Sequence, residues 1–299
     1  MKLINHKIFR WFLYLCLFLI FIILIFYAAL YNHLRKPAGD HNNTSYAQLD
    51  DTILISHAGG GLEVGEYATS KEALEKTARH GYKYVELDFI QTQNGDWVIF
   101  HDWKKNYLRY FIRFHNFHRF LRNRNQMIPE TAIDFQNMNM RYNLTPMTLE
   151  KLGPWLKANP DIVVITDIKG SNTKCLTLIK NMMGGKTQQI IPQIYSPEEY
   201  EDVQKLGFKN IILTVYNIEL SQEKLNELAQ FSEDKALFAL TVPKKWIDED
   251  LDNWRPNDSV RLLTHTINDE NTARQLMELG VSGIYTDYII PPQAEPPIK

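Results

Sequence analysis

The sequence is poor in cysteine and nearly balanced in charge. Of its 299 residues only two are cysteines, Cys16 within an apolar run and Cys175 far downstream. Cysteines so placed predict neither a disulfide framework nor a thiolate metal site. The net charge is -2 and the pI is near 6.5, whereas nucleic-acid-binding domains are usually clearly basic. We therefore expect no nucleic acid partner, and nothing in the sequence indicates a particular protein partner.

Charged residues are absent from 11–31, a stretch made almost entirely of apolar and aromatic residues. Its length is sufficient to cross a hydrocarbon layer about 30 Å thick as one helix. The alternative is a cleaved signal peptide, whose apolar core is usually about 7–15 residues long. We predict a retained single-pass anchor, with a cytoplasmic tip and transmembrane helix at 1–36.

The orientation of this anchor is predicted from the basic residues on its two sides. Lys2, Lys7 and Arg10 precede it, whereas Arg35 and Lys36 follow it. An excess of basic residues favours the cytoplasmic side. We therefore place the N-terminus in the cytoplasm and the rest of the chain on the periplasmic, extracellular or lumenal side.

After the anchor, the chain predicts a linker at 37–51, a folded domain at 52–290 and a tail at 291–299. In the domain, short β-branched runs alternate with amphipathic segments in which apolar residues recur at three and four. The candidate strands are 52–57, 84–90, 97–101, 162–168, 190–195, 210–216, 236–242, 260–267 and 283–287. Helices are expected at 70–80, 149–158, 197–206, 221–231 and 269–279.

This alternation over about 240 residues predicts an α/β fold of the (β/α)8 TIM-barrel type. A doubly wound open sheet is the alternative. Nine candidate strands compete for eight places in the barrel. The connection at 91–96 is too short for a helical crossover, so the barrel is expected to lack one helix there. An insertion at 103–145 fits no part of the repeat and is expected to cover one end of the barrel.

Polar side chains fall at the C-terminal tips of the candidate strands, the end of a barrel where active sites form. They are His57, Glu86 with Asp88, His101 with Asp102, Asp167 with Lys169, His265 and Asp287. Any one of them is as readily explained as a solvated loop residue. Their shared placement favours a site.

Three carboxylates in this set are suited to holding a hard cation. Glu86 and Asp88 are two residues apart on one strand, so they project to the same face, and Asp167 lies on another strand. Oxygen ligands without sulfur favour Mg²⁺ or Ca²⁺, with Mn²⁺ as a further candidate, over zinc. A salt-bridged acidic pair is the alternative reading.

Two histidines and a lysine could act on a phosphate group held near these carboxylates. His57 and His101 end two non-adjacent strands, where imidazoles can exchange a proton near neutral pH. Lys169 could neutralise a phosphate oxygen. The three glycines at 59–61 would let backbone amides approach a ligand, although such a run is often only a flexible turn.

These residues resemble the glycerophosphodiester phosphodiesterase family, a barrel superfamily that also includes the phosphatidylinositol-specific phospholipases C. HAG at 57–59 is similar to the family's His-Arg-Gly. VELD at 85–88 followed by NGDWVIFHD at 94–102 is similar to its central block. TDIK at 166–169, HTIN at 265–268 and GVSGIYTD at 280–287 correspond to Glu-Ile-Lys, Trp-Thr-Val-Asn and the closing Gly-Val-Asp-Gly-Ile-x-Thr-Asp.

The resemblance implies roles for nine residues and a substrate class. It implies His57 and His101 as the acid and base, and Glu86, Asp88 and Asp167 as ligands of a divalent cation. Contacts with the phosphate or the substrate are expected from Gly59, Asp102, Lys169 and His265. The implied substrate is a glycerophosphodiester or a lysophospholipid, attacked either by a neighbouring glycerol hydroxyl or by water.

The chain also departs from the family pattern. Ala68 stands where the family has the glutamate of Glu-Asn-Thr, Ala58 replaces an arginine, and Asp167 replaces a glutamate. Glu66 or Glu63 is a candidate to complete the metal site. A phosphoinositide-type phospholipase C with weak metal dependence, and a degenerate barrel that only binds lipid, therefore remain alternatives.

The insertion has a basic and aromatic composition. Between 103 and 124 it contains seven lysines and arginines and no acid, interleaved with phenylalanines and tyrosines. This composition suits a segment that lies on an anionic membrane. The alternative is a small helical cap that buries its rings against the barrel.

Overall fold

The computed structural model describes residues 6–35, 45–46, 52–216, 221–247 and 260–292. Most of the predicted linker and the tail beyond residue 292 lie outside them. The chain begins with the long helix α1, His6–Arg35. This helix is apolar and long enough to cross a membrane, a test that signal sequences also pass. Its large apolar side chains from Phe9 to Phe26 are exposed.

Eight parallel strands close into a barrel within the described residues, which confirms the predicted fold. The barrel order is β2, β3, β6, β7, β8, β9, β10 and β11, and pairing of β2 with β3 closes it and excludes the open sheet. The strands are β1 Ser45–Tyr46, β2 Ile53–Ser56, β3 Tyr84–Gln91, β4 Trp97–Ile99, β5 Met147–Thr148, β6 Val163–Ile168, β7 Ile190–Ile194, β8 Ile212–Thr214, β9 Ala239–Pro243, β10 Arg261–His265, β11 Gly283–Thr286 and β12 Ile289–Ile290.

The ninth candidate strand lies outside the barrel. β4 pairs antiparallel with the far end of β3, and β5 pairs antiparallel with β4. The expectation that a helix is missing after β3 is therefore wrong, since 92–96 is a hairpin turn and a helix does precede β6. The helices after α1 are α2 Lys71–Arg79, α3 Lys105–Tyr110, α4 Phe117–Arg122, α5 Ala132–Gln136, α6 Leu149–Ala158, α7 Asn172–Met182, α8 Tyr200–Lys205, α9 Gln222–Asp234 and α10 Glu270–Glu278.

The barrel interior changes from apolar to polar along each strand, because every second side chain points inward. One inner layer is apolar and contains Ile55, Ile165, Ile191 and Leu263. Two residues further along the same strands stand His57, Asp167, Gln193 and His265. The apolar layer closes the barrel, and the polar layer above it forms the floor of a cavity at the C-terminal end.

The insertion packs its aromatic residues inward, beside this C-terminal end. Tyr107, Tyr110, Phe111, Phe117 and Phe120 are buried in a cluster with β4 and the loop that contains Ala68. For these rings the cap interpretation is correct. The last turns of α1 belong to the same cluster through Tyr27, Leu30, Tyr31 and Leu34.

Candidate active site

The cavity at the C-terminal end of the barrel has a volume of about 390 Å³, within the range of roughly 300–1,000 Å³ typical of small-molecule sites. Seven of the nine predicted site residues line it: His57, Glu86, Asp88, His101, Asp167, Lys169 and His265. A larger cavity of about 960 Å³ opens at the opposite end and is lined by no acid and no histidine among the described residues. Because barrel chemistry occurs at the C-terminal end, we place the site in the smaller cavity.

The three acidic residues meet because of strand register. β3 and β6 are neighbours, and Asp88 lies directly opposite Asp167 in the ladder, one inward position beyond Glu86. Oxygen atoms from the three carboxylates lie within 4.8 Å of one another. Burial raises the pKa of both Glu86 and Asp88, the charge of Asp88 adds to the rise at Glu86, and the charge of Asp167 adds to the rise at both. A group of carboxylates held together in this way is unfavourable without a cation.

A second observation indicates that these carboxylate oxygens could bind a divalent cation. Glu86 Oε1 and Asp88 Oδ2 are buried and have no hydrogen-bond partner among the described residues. The other oxygen of Glu86 accepts a hydrogen bond of 2.7 Å from the backbone N–H of Ala58. Buried acceptors without donors are rare because they are costly. These residues are therefore able to hold an Mg²⁺, Ca²⁺ or Mn²⁺ ion through hard oxygen ligands.

Lys169 already neutralises part of this acidic group. Its Nζ lies 3.1 Å from Asp88 Oδ1 and 2.5 Å from Asp167 Oδ2. The remaining oxygen of Asp167 accepts a hydrogen bond from the hydroxyl of Tyr195. Burial alone would lower the pKa of Lys169, but the surrounding carboxylates raise it above its ordinary value. Lys169 is thus a permanent cation next to the proposed metal ligands.

His57 is oriented by a carboxylate behind it. Its Nδ1 donates a hydrogen bond of 2.9 Å to Asp287 Oδ1, and Asn268 holds the other oxygen of Asp287 at 2.8 Å. Because a carboxylate only accepts, Nδ1 bears the proton, and Nε2 faces the cavity 4.0 Å from Glu86 Oε2. Burial lowers the pKa of His57, but Asp287 and the acidic group outweigh burial and raise it to about 9.

His101 has a matching arrangement beside Asp88. Its Nδ1 donates to Asp102 Oδ2 at 2.8 Å, and Asn106 Nδ2 also donates to this oxygen at 2.6 Å. Nε2 of His101 lies 4.0 Å from Asp88 Oδ1. In their neutral forms, the two imidazoles therefore present unprotonated Nε2 atoms beside two neighbouring carboxylates, Glu86 and Asp88.

Asp102 and Gly59 lie behind the cavity rather than among the residues that line it. Asp102 contacts His101 from behind. Gly59 has φ +82°, and its carbonyl accepts a hydrogen bond of 2.9 Å from Thr77 Oγ1. The glycine is required by this left-handed turn, which brings the amide of Ala58 to Glu86. The predicted substrate contacts of Asp102 and Gly59 stay predictions.

His265 forms part of the cavity wall. Its ring stacks at 5.9 Å from that of His57 and meets Tyr216 edge-on at 4.1 Å. Burial lowers the pKa of His265 to about 3, and nearby His57 adds to this effect. His265 is therefore neutral near pH 7 and able to donate or accept a hydrogen bond at the substrate.

Tyr67 lies between the two histidines and was not predicted as a site residue. Its ring centroid lies 4.8 Å from that of His57 and 4.4 Å from that of His101. Its φ of +59° is unusual for a non-glycine residue. The only signal in the sequence was its position directly before Ala68.

Glu66 does not complete the acidic group. Its carboxylate pairs with Arg109 at 3.1 Å in a buried ion pair. Among the described residues, the acidic group suited to a cation contains Glu86, Asp88 and Asp167 alone. Ala68 itself lies in the apolar cluster beside the insertion, so its position contributes packing where the family motif has a carboxylate.

No family model matches the sequence, and no curated protein matches it. Solved structures do share its fold. A glycerophosphodiester phosphodiesterase from Parabacteroides distasonis is 18% identical with a TM-score of 0.59, covering 80% of this chain and 93% of that one. One from Thermotoga maritima is 16% identical with a TM-score of 0.57, covering 81% and 96%. The fold is that of glycerophosphodiester phosphodiesterases.

An Oleispira antarctica phosphodiesterase, solved in complex with its product sn-glycerol-3-phosphate, is 16% identical with a TM-score of 0.51, and the match covers 79% of this chain and 92% of that one. These comparisons confirm the fold expected from the motifs. At such identities a shared fold does not establish an activity, which has to be argued from the site.

Proposed function

We propose that the chain is a phosphodiesterase that cleaves glycerol-type phosphodiesters with the help of a divalent cation. The observation that supports this most directly is the placement of His57 and His101. Each has Nδ1 on a carboxylate and Nε2 at 4.0 Å from one of the proposed metal ligands. A phosphoryl group above the acids would be within reach of both imidazoles.

The residues divide the reaction as follows. One imidazole Nε2 takes the proton of the attacking hydroxyl, from water or from a neighbouring glycerol hydroxyl, as that oxygen bonds to phosphorus. The other gives a proton to the departing alkoxide oxygen when its bond to phosphorus breaks. Lys169 offsets charge on a non-bridging oxygen. A cation bound by Glu86, Asp88 and Asp167 would polarise the phosphoryl group as a Lewis acid.

The substrate class follows from the tether as well as from the site. α1 is proposed to be a retained membrane span with a cytoplasmic N-terminus, which places the barrel on the outer or lumenal side. A tether of this kind raises the concentration of the site near lipid. Lysophospholipids and glycerophosphodiesters derived from lipids are the proposed substrates.

One observation favours the phospholipase C alternative. Lys169 already places positive charge against Asp88 and Asp167, so part of the work of a cation could be done without one. The two functions differ in metal dependence and in the product released. The alternative releases a cyclic phosphate without a strong need for a cation, whereas the phosphodiesterase yields a phosphomonoester, either directly by attack of water or after water opens a cyclic intermediate.

The test uses the full chain in detergent with glycerophosphocholine, lysophosphatidylcholine and lysophosphatidylinositol, each with a chelator or with added Mg²⁺, Ca²⁺ or Mn²⁺. We expect cation-dependent release of a phosphomonoester, abolished by His57→Ala and by His101→Ala. The control is His80→Ala, since His80 follows α2 and does not line the cavity. Unchanged turnover in either active-site variant would contradict the acid/base roles, and chelator-resistant formation of a cyclic phosphate would favour the alternative.

A further inference from the structure

The exposed apolar part of α1 ends where the insertion begins to pack against it. From Phe9 to Phe26 the large apolar side chains of α1 are exposed, and this stretch is about 27 Å long at the rise of an α-helix. The hydrocarbon layer of a bilayer is about 30 Å thick. The next residue, Tyr27, meets Phe114 and Phe117 of the insertion with ring centroids at 5.4 and 4.8 Å.

Hydrogen bonds fix the insertion at this level of the helix. Tyr31 donates to the carbonyl of Ile112 at 2.9 Å. Arg35 donates to the hydroxyl of Tyr142 at 2.8 Å, and Arg109 Nε donates to the carbonyl of Arg35 at 3.2 Å. The contacts span about two turns of α1. If α1 crosses a membrane, the insertion lies where the helix leaves the hydrocarbon layer.

The exposed side chains of the insertion between 113 and 122 include both basic and apolar residues. Phe117 and Phe120 of α4 are buried, whereas Leu121 is 50% exposed, and Phe114 just before α4 is 44% exposed. Arg113, Arg119 and Arg122 are exposed around them. No acidic residue occurs between Asp102 and Glu130. A short segment that exposes both apolar side chains and arginines matches the chemistry of anionic headgroups above acyl chains.

We propose that this basic face, residues 113–122, rests on an anionic lipid surface beside the point where α1 leaves the membrane. The proposal rests on the membrane-spanning role given to α1. Phe114 and Leu121 enter the interface, and the three arginines contact lipid phosphates. Arg109 is excluded from this surface because it is buried against Glu66.

The test measures depth in the membrane with the full chain. Cys16→Ser and Cys175→Ala remove the native thiols, and single cysteines are introduced as Phe18→Cys, Leu121→Cys and Leu178→Cys to attach a nitroxide. Leu178 is the matched control, since it is 47% exposed on α7. The protein is placed in nanodiscs of phosphatidylcholine with or without phosphatidylglycerol. Collision with membrane-soluble oxygen and with a water-soluble nickel complex is compared by electron paramagnetic resonance.

In discs with phosphatidylglycerol we expect the label at 121 to collide several-fold more with oxygen, relative to nickel, than the label at 178. Pure phosphatidylcholine, or the triple change Arg113→Gln, Arg119→Gln and Arg122→Gln, should reduce this difference. If the label at 121 gives the same ratio of oxygen to nickel collisions as the label at 178, while the label at 18 reports lipid, then α1 spans the membrane and the proposed surface is wrong. If 18 also reports water, the spanning role fails and the proposal falls with it.

Two other outcomes would also overturn the proposal. Equal immersion of 121 in both lipid mixtures would remove the role given to anionic lipid. Protection of 121 from both reagents, with spin–spin broadening, would mean that a second copy of the chain covers this face instead. Neither outcome bears on cleavage of phosphodiesters, which the cavity variants test separately.

Discussion

Glu66 and Arg109 form a buried ion pair, with Oε1 and Nη1 3.1 Å apart, that joins the loop after the first barrel strand to the insertion. Tyr110 adds a hydrogen bond of 2.6 Å to the carbonyl of Glu66. The next residue, Tyr67, touches both histidines. The insertion therefore supports the wall of the cavity.

Removing Arg109 should destabilise the protein strongly. Arg109→Ala leaves the carboxylate of Glu66 buried without its partner guanidinium, which typically costs about 3–5 kcal/mol. The measurement is denaturant unfolding of the detergent-solubilised chain. Arg113→Ala is the control, because Arg113 is exposed nearby and such changes are usually within about 0.5 kcal/mol. Similar losses in the two variants would contradict the importance of the pair.

Asp287→Asn should lower kcat by about 10–100-fold, a typical effect of removing a group that orients a functional histidine. An amide facing Nδ1 can donate to it, so the proton is no longer fixed on that nitrogen. Removing the charge of Asp287, which raises the pKa of His57, should also lower that pKa and disturb proton transfer. KM should change less than kcat. Asp269→Asn serves as the control, since Asp269 caps α10 away from the cavity. An unaltered kcat in Asp287→Asn would show that His57 needs no such orientation.

The acidic group should make the cation-free protein less stable as pH rises. The pKa of Glu86 is raised in the folded state by burial and by Asp88, so between the ordinary carboxyl pKa and the raised one the folded state holds more protons than the unfolded state. Stability must therefore fall across that window as pH increases. Glu86→Gln keeps the acceptor for Ala58 and removes the charge.

The check is thermal unfolding over a pH series in the presence of a chelator. The stability of Glu86→Gln relative to the unaltered chain should increase with pH above the ordinary carboxyl range. Glu278→Gln, at the exposed end of α10, should show no such trend. A constant difference at every pH would refute the raised pKa.

Divalent cations should stabilise the folded chain. A ligand at about 100 times its Kd adds roughly 2.7 kcal/mol to the free energy of unfolding, which appears as a higher Tm with Mg²⁺, Ca²⁺ or Mn²⁺. Asp88→Asn should abolish most of the shift. Asp161→Asn should retain it, because Asp161 is exposed at the opposite end of β6. If the Tm of Asp88→Asn still rises when the cation is added, the cation binds somewhere other than at these three carboxylates.

Lys169 should compete with the cation. Because Nζ contacts Asp88 and Asp167, Lys169→Met frees two ligands and should lower the Kd for the cation, measured by calorimetry. The same change removes a positive charge near the phosphate and should lower kcat. Lys174→Met, on the exposed face of α7, should alter neither value. Weaker cation binding in Lys169→Met would mean that the lysine assists the metal site.

Much of the site could be predicted because side chains alternate between two faces along a strand, so residues two positions apart point into the barrel together. His57, Asp167 and His265 occur near the C-terminal ends of predicted strands. Glu86 and Asp88 lie two residues apart on another predicted strand, and the register of that strand with β6 places Asp88 opposite Asp167. Helix α6 was predicted with the bounds that it has, since its apolar residues recur regularly.

What the sequence could not supply was contact between distant segments. The strand at 97–101 has the composition of a barrel strand, and only its pairing shows that it extends an edge. Tyr195 reaches Asp167, and Asn106 reaches Asp102, through positions that no local pattern marks. The ion pair of Arg109 could not be predicted for the same reason, since its partner Glu66 is 43 residues away.

The contact between Tyr31 of α1 and Ile112 of the insertion has a consequence for how the protein would meet its substrates. In a membrane-embedded chain, this contact would fix the barrel to the end of α1. The cavity would then keep a constant height above the membrane and a constant tilt as the protein diffuses. Such a protein would encounter only the substrates in a thin layer at the membrane surface. Its turnover would depend on their surface density rather than on their bulk concentration.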